Sequence, residues 1–161
     1  MTAFQEIYQE YGEPVYRFLL KLSGDEGQAE ELLQETFYQA LVHADRFEGR
    51  CSVYTWLCQI GKNAWLKECR RKKRFDSRPL EEIDPEARGP APEERLLLED
   101  QYRRARRAVY RLEEPYKDVF ILHTLGGLSL KEIAGSYGKS ESWARVTYYR
   151  ARQKIMEEAD L

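Results

Sequence analysis

The segment LSLKEIAGSYGKSESWARVTYYRARQKI, residues 128–155, carries side chains suited to reading duplex DNA. Arg145 and Tyr149 lie four residues apart on one helical ridge, and an arginine can form paired hydrogen bonds with a guanine edge. Arg150 and Arg152 are better placed to bind phosphates. The segment's outward faces are predicted to carry Ser142, Arg145, Val146, Tyr149, Arg150 and Arg152. Each arginine could equally be a solvated surface charge.

Two short helices must position these side chains. Ser129 and Glu132 have capping-box spacing, which predicts a helix from Leu130. Gly138 can adopt the left-handed conformation of a turn, and Ser140 can cap the second helix. The predicted buried face of that helix repeats at helical spacing: Ala144, Tyr148, Ala151 and Ile155. The pattern is typical of a helix-turn-helix whose second helix enters the major groove, and the alternative is a helical hairpin with a solvated basic face.

A second group of candidate functional side chains lies in TWLCQIGKNAWLKECRRKKR, residues 55–74, which ends in five consecutive basic residues. The chain as a whole has a net charge of −2. Residues 1–54 carry 4 basic and 10 acidic side chains, and residues 55–78 carry 8 and 2. Residues 79–102 carry 2 and 8, and residues 103–161 carry 12 and 8. Alternating acidic and basic blocks predict several separate binding surfaces.

Other classes of function find little support in the sequence. His43 and His123 are the two histidines, and they belong to no nucleophile–base–acid grouping or glycine-rich phosphate loop, so no enzyme is expected. Three cysteines without a CxxC pair predict neither a disulfide framework nor a metal site, and no cofactor is expected. They are interpreted as small apolar residues, with redox sensing as the alternative. No signal peptide or membrane-spanning run is visible, which predicts a cytoplasmic protein.

Helical spacing of apolar residues prevails along the chain and predicts an all-α fold. Gly12 and Pro14 are expected to interrupt a first helix, with Pro14 opening a second one. Gly24 is expected to end that helix, and Asp25 to cap the next. The helix within residues 55–74 is expected to bury a stripe, Leu57, Ile60 and Ala64.

Residues 76–95, DSRPLEEIDPEARGPAPEER, contain four of the six prolines and many charges. This composition predicts an extended, flexible linker. The chain is therefore divided into two small helical domains, residues 1–75 and 96–161, joined by that linker.

Together these segments resemble the extracytoplasmic-function (ECF) sigma factors of bacterial RNA polymerase. AEELLQETFYQAL, DRFEG, YTWLCQIGKN and LKECRRKKR are similar to the promoter-melting region, called region 2. The helix-turn-helix segment is similar to region 4, which reads the −35 promoter element. The resemblance implies a non-catalytic subunit that binds core RNA polymerase, directs it to promoters and helps open the −10 element.

The resemblance also implies residue roles at the −10 element, where a flipped base of the non-template strand would enter a pocket with stacking and hydrogen-bonding groups. Trp56 is expected in the core, and the place of Trp65 is left open. The implied −10 residues are Phe47, Arg50, Cys51, Ser52, Lys62, Asn63, Trp65, Lys67, Arg70, Arg71, Lys72, Lys73 and Arg74. The implied −35 residues are Ser140, Ser142, Trp143, Arg145, Val146, Tyr149, Arg150 and Arg152.

For polymerase binding, the resemblance points to the helix that contains LLQETF, whose acidic face suits a basic partner helix. The implied contacts are Glu30, Glu31, Leu33, Gln34, Glu35 and Phe37, although the glutamates could be solvated and the apolar residues core. The partners implied are core polymerase, duplex and single-stranded promoter DNA and an anti-sigma factor, with no small-molecule substrate. The alternative is a helix-turn-helix regulator that acts without polymerase.

Overall fold

The computed structural model describes residues 1–75 and 93–160, with the backbone alone for residues 73–75. The described residues form seven α-helices: α1 (Ala3–Ser23), α2 (Glu26–Val42), α3 (Val53–Phe75), α4 (Glu93–Arg111), α5 (Tyr116–Phe120), α6 (Leu130–Ser136) and α7 (Glu141–Ala159). A 3₁₀ turn, Ala44–Arg46, follows α2, and a π-helical turn, Ile121–Leu125, continues α5. The described ranges contain no strand, so the predicted all-α class is confirmed.

Local capping sets several of the helix ends. Thr2 and Gln5 form a reciprocal capping box at the start of α1, and Gly24 ends that helix with a φ of 73°. The Asp25 carboxylate accepts a hydrogen bond from the Gly27 amide and caps α2. The predictions for Gly24 and Asp25 are therefore confirmed, because the groups that cap these ends are neighbours in sequence.

The predicted break at Gly12 and Pro14 is wrong, because α1 runs through both residues. Proline has no amide hydrogen to donate within the helix, which normally costs about 3 kcal/mol. Val15, Phe18 and Leu19 in the following turns are almost fully buried. Burial of each such side chain stabilises the fold by about 1.5–3 kcal/mol, so packing offsets the local defect.

The linker predicted for residues 76–95 falls mainly outside the described residues, since 76–92 are not described. Residues 93–95 belong to α4, so the last three residues of the predicted linker are helical. We refer to α1–α3 as the N-terminal half and to α4–α7 as the C-terminal half. The division into two domains at 1–75 and 96–161 stays a prediction.

The two halves pack against each other in this structure. One hydrophobic cluster contains Phe18 and Leu57 from the N-terminal half together with Ile121, Leu122 and Ile133 from the C-terminal half. A second, smaller cluster lies within the C-terminal half, between α4 and α7, and includes Ala108, Ala151 and Ile155. Polar contacts also join the halves: Arg106 of α4 donates to the carbonyl oxygens of Leu22 (3.0 Å) and Ser23 (2.9 Å).

Candidate nucleic-acid interface

The loop before α3 is anchored by aromatic packing. The ring of Phe47 lies 5.1 Å from that of Trp56, centroid to centroid, at an angle of 42°. Both residues are half-buried, and Cys51 is half-buried as well, whereas Arg50 and Ser52 are exposed. The loop therefore presents one basic and one hydroxyl side chain beside an aromatic pair, a combination that could receive a nucleobase.

The first turn of α3 is capped from two directions. From the residue just before the helix, the Ser52 hydroxyl accepts a hydrogen bond from the Thr55 amide at 3.1 Å. From the C-terminal half, the Glu132 carboxylate accepts one from the Ser52 amide at 3.0 Å and one from the Thr55 hydroxyl at 3.0 Å. A helix N-terminus favours anions, so Glu132 is stabilised in this position.

Lys62 lies in the middle of a buried polar network, and its side chain is 1% exposed. Its ammonium group is 3.1 Å from the carboxylate of Asp118 and donates to Gln59 at 2.8 Å and to the Tyr137 hydroxyl at 3.2 Å. Burial lowers the pKa of Lys62, and the Asp118 carboxylate opposes that shift. In the structure this lysine, predicted to bind DNA, is held by the C-terminal half instead.

The buried face of α3 differs from the predicted one. Of the expected stripe, Leu57 is fully buried, while Ile60 and Ala64 are half-buried. The buried positions continue instead through Cys58, Lys62, Trp65, Leu66 and Cys69. The indole of Trp65 therefore belongs to the core in this structure, and Trp56, expected in the core, is half-buried. The burial of Trp65 and the two cysteines could have been predicted from residue type, because tryptophan and cysteine are often buried. The burial of Lys62 could not, because lysine is almost always exposed unless it is paired.

Beyond these positions, α3 turns its polar side chains outward. Asn63, Lys67, Arg70 and Arg71 are exposed, and Lys72 is half-buried. Arg71 forms a bidentate pair with Glu68, at 3.1 and 2.6 Å. The side chains of Lys73 and Arg74 lie outside the described part of the chain. Asn63 and the basic side chains after it could together follow a nucleic-acid backbone.

The predicted helix-turn-helix is present in α6 and α7. The Ser129 hydroxyl accepts from the Glu132 amide, Gly138 has a φ of 65°, and the Ser140 hydroxyl accepts from the Trp143 amide. Trp143 is half-buried, with its ring 5.8 Å from that of Tyr137. The remaining predicted −35 residues are exposed on α7: Ser142, Arg145, Val146, Tyr149, Arg150 and Arg152. The face that would enter a major groove is therefore open.

On α2, the predicted polymerase contacts divide into surface and core. Glu30, Glu31, Gln34 and Glu35 are exposed, and Leu33 is half-buried. Phe37 is 3% exposed and packs edge-on against the rings of Phe4 (6.1 Å) and Tyr8 (4.8 Å). The structure thus gives α2 an acidic outer face, with Phe37 supporting it from within.

The contacts that sequence reasoning missed are those between the halves. Glu132 was recognised as a capping residue, but its carboxylate reaches Ser52 and Thr55 instead. Asp118 and Arg106 carried no signal at all, because their partners are far away in the sequence. Among residues 1–75 and 93–160, no group of three or more His, Cys, Asp or Glu side chains is placed to hold a metal ion. Within the same ranges, no helix combines the length and the apolar character needed to cross a membrane.

Comparison with known proteins identifies the family of the chain. Residues 7–75 match the family Sigma-70 region 2, and residues 102–155 match Sigma-70, region 4. The ECF RNA polymerase sigma factor SigM of Bacillus subtilis is 31% identical over 154 residues, which cover 93% of this chain and 91% of SigM. The chain belongs to the ECF sigma factors. The ECF sigma factor SigX of the same organism is 28% identical over 98% of this chain and 84% of its own length.

The fold of this sigma factor is also found in solved structures. The sigma factor RpoE of Bartonella quintana, solved in complex with the anti-sigma factor NepR, has a TM-score of 0.60 at 21% identity, over 98% of both chains. CnrH, solved with the cytosolic domain of CnrY, has a TM-score of 0.58 at 23% identity, over 98% of this chain and 88% of CnrH. As a sigma factor, the protein is a regulator that directs promoter-specific transcription by RNA polymerase.

Proposed function

We propose that the two halves of this sigma factor read different promoter elements. The loop at residues 47–52, together with Asn63, receives the −10 non-template strand, and the basic side chains from Lys67 to Arg74 follow its phosphates. The outward face of α7 reads the −35 element in the major groove. The observation that supports this division is exposure: Asn63 on α3 and Arg145 on α7 both face outward in the structure.

The acidic face of α2 is proposed as the docking site for core polymerase. Glu30, Glu31, Gln34 and Glu35 offer negative charge beside the half-buried Leu33, which suits a basic helix with an apolar edge. We place this docking in the cytoplasm, where RNA polymerase acts. RpoE was solved with the anti-sigma factor NepR, and CnrH with the cytosolic domain of CnrY. By analogy with RpoE, we propose that an anti-sigma factor binds this chain too.

Asn63→Ala tests the −10 assignment. Because an amide can hydrogen-bond to the edge of an unpaired base, its loss should reduce open-complex formation by about tenfold, or about 1.4 kcal/mol, with binding to closed duplex promoter changed less than twofold. Permanganate footprinting of the −10 element with reconstituted holoenzyme measures melting. Gln101→Ala, an exposed amide on α4, is the matched control. Unchanged melting in Asn63→Ala would exclude this asparagine from the strand-binding site.

A further inference from the structure

The C-terminal half places acidic side chains against Ser52, in the proposed −10 loop, and against Lys62, which the sequence resemblance also assigns to the −10 strand. Glu132 of α6 binds the amide of Ser52 and the hydroxyl of Thr55, at the start of α3. Asp118 of α5 binds the ammonium group of Lys62 at 3.1 Å. Both acidic residues come from the half of the molecule that reads the other promoter element.

The groups that these carboxylates occupy are of the chemical types that also bind phosphates. An amide at a helix N-terminus and a lysine ammonium both prefer an anionic oxygen, whether it comes from a carboxylate or from a phosphate. While Glu132 and Asp118 are in place, neither Ser52 nor Lys62 can offer its charge or its donor to a DNA strand. The two kinds of anion therefore compete for the same donors.

The carboxylate of Asp118 is hydrogen-bonded through only one of its two oxygens. Its Oδ2 is bound by Lys62 and accepts from the Tyr137 hydroxyl at 3.1 Å, but its buried Oδ1 has no hydrogen-bond partner in the structure. A buried carboxylate oxygen left without a partner costs free energy. If another anion replaces Asp118 at Lys62, water can solvate the Asp118 carboxylate. The cost of the unpaired oxygen is then removed, which favours the exchange.

We propose that Asp118 and Glu132 are intramolecular competitors of the −10 strand, each holding a donor of the N-terminal half that a strand phosphate takes over. This inference rests on the −10 assignment proposed above. While the two halves are packed together as in the structure, which we call the closed arrangement, Arg145 and Tyr149 on α7 remain exposed. The protein can therefore contact a −35 element while its proposed −10 surface is still partly occupied. Engagement of the strand then requires that the C-terminal half release α3.

The test neutralises both competitors in the full chain without altering the groups that they hold. The probe is a fluorescein-labelled single strand of 20 nucleotides with random sequence, and binding is measured by fluorescence anisotropy at low salt. Asp118→Asn/Glu132→Gln should bind it about tenfold more tightly than the wild type, because the binding-competent population rises. In small-angle X-ray scattering, the radius of gyration of the double variant should also exceed that of the wild type.

A matched control removes two negative charges elsewhere on the C-terminal half. Asp100 and Glu158 are exposed and pair with Arg104 and Arg111 at 3.3 and 3.1 Å. Asp100→Asn/Glu158→Gln has the same net charge as the test variant and should change the affinity by less than about twofold. If both double variants gain affinity equally, overall charge explains the effect and the competition is refuted. If Asp118→Asn unfolds the chain, Glu132→Gln by itself should still give about a threefold gain.

The remaining outcomes separate this inference from the −10 assignment. If the test variant expands but gains no affinity, the covered surface is not the strand-binding surface, and both proposals fail. If it neither expands nor gains affinity, the competition is wrong, while Asn63→Ala in promoter melting still decides the −10 assignment. Adding Lys62→Ala to the test variant should remove most of the gain, because Lys62 is the group released to the strand.

Discussion

Lys62 is buried, although its residue type and its basic sequence context predict an exposed side chain. A lysine in a basic stretch is expected to be solvated, yet this one is buried among Asp118, Gln59 and Tyr137. Removing one partner of a buried ion pair typically costs about 3–5 kcal/mol, since the other charge is left without compensation. The Lys62–Asp118 pair therefore stabilises the packing of the two halves, whether or not Lys62 also binds DNA.

Cys58 and Cys69 are buried thiols whose ionisation should make the stability of the fold depend on pH. Burial raises the pKa of each thiol from 9.0 to about 12. Between these values the unfolded chain loses protons that the folded chain keeps, so the free energy of unfolding falls as pH rises above 9. The expected slope is up to about 1.4 kcal/mol per pH unit for each thiol.

Urea unfolding at pH 8 to 11 checks this expectation. Cys58→Ala/Cys69→Ala should be less stable at pH 8, because cavities form, but should lose stability more slowly with rising pH than the wild type. Cys51→Ala, at a half-buried position, should change the slope less. Equal slopes for the double variant and the wild type would show that these thiols do not govern the alkaline loss.

At the scale of elements, α7 combines a buried face with an open one. Ala144, Thr147, Ala151, Ile155 and Ala159 are buried, and the cap at Ser140 fixes where the helix begins. Small buried residues allow α7 to approach α4 and α6 closely, and this leaves the arginine-bearing face toward solvent. Helical periodicity therefore determined which of its residues could read DNA before any tertiary contact was known.

Arg145 and Arg152 are expected to differ in what they contribute to DNA binding. Arg145→Ala should lower affinity for the preferred −35 element by about 1–3 kcal/mol and flatten discrimination against base changes. Arg152→Ala should weaken binding to all sequences alike and reduce the salt slope by about 1. Competition binding with a −35 library at several salt concentrations separates the two effects. If Arg145→Ala kept full base preference, the orientation proposed for α7 would be wrong.

For α1 and α3, the sequence pattern predicted the existence of helices better than their limits and faces. The first helix continues through Pro14 because burial around Phe18 outweighs a local backbone preference. In α3, the stripe centred on Leu57 rotates toward Cys58 and Trp65, since this helix is covered by α1, α2 and the C-terminal half. Periodicity shows that a helix has a buried side, but the neighbouring elements decide how wide that side is.

For the whole molecule, the contact between the halves depends on backbone geometry as well as on charge. Arg106 lies over the C-terminal end of α1, where Gly24 has a φ of 73°. A Cβ atom built on Gly24 would lie 2.7 Å from Nη1 of Arg106. Gly127 has a similar φ of 69°, and a Cβ atom there would meet nothing within 4 Å.

These two glycines provide a matched pair. Both alanine substitutions carry the backbone cost of a left-handed residue, about 1 kcal/mol, but Gly24→Ala should also displace Arg106 from the carbonyl oxygens of α1. We expect Gly24→Ala to lower the free energy of unfolding by about 1–2 kcal/mol more than Gly127→Ala. Chemical denaturation in wild-type and Arg106→Ala backgrounds measures the difference. A difference that persists without Arg106 would contradict the proposed contact.

The sequence by itself determined the all-α class, the caps at Asp25, Ser129 and Ser140, the turn at Gly138 and the outward face of α7. Each of these depends on residues within one or two helical turns, so spacing and residue type suffice. The resemblance to ECF sigma factors, confirmed by the family matches, added what such a helix-turn-helix is for.

The tertiary structure decided which of the predicted −10 residues are free. It turns Asn63 outward, buries Trp65 and places Lys62 and Ser52 against acidic partners from the C-terminal half. No local pattern could predict this, because a buried charge is tolerated where a partner offsets its desolvation, and these partners come from α5 and α6. The availability of the proposed −10 surface is therefore a property of how the two halves pack.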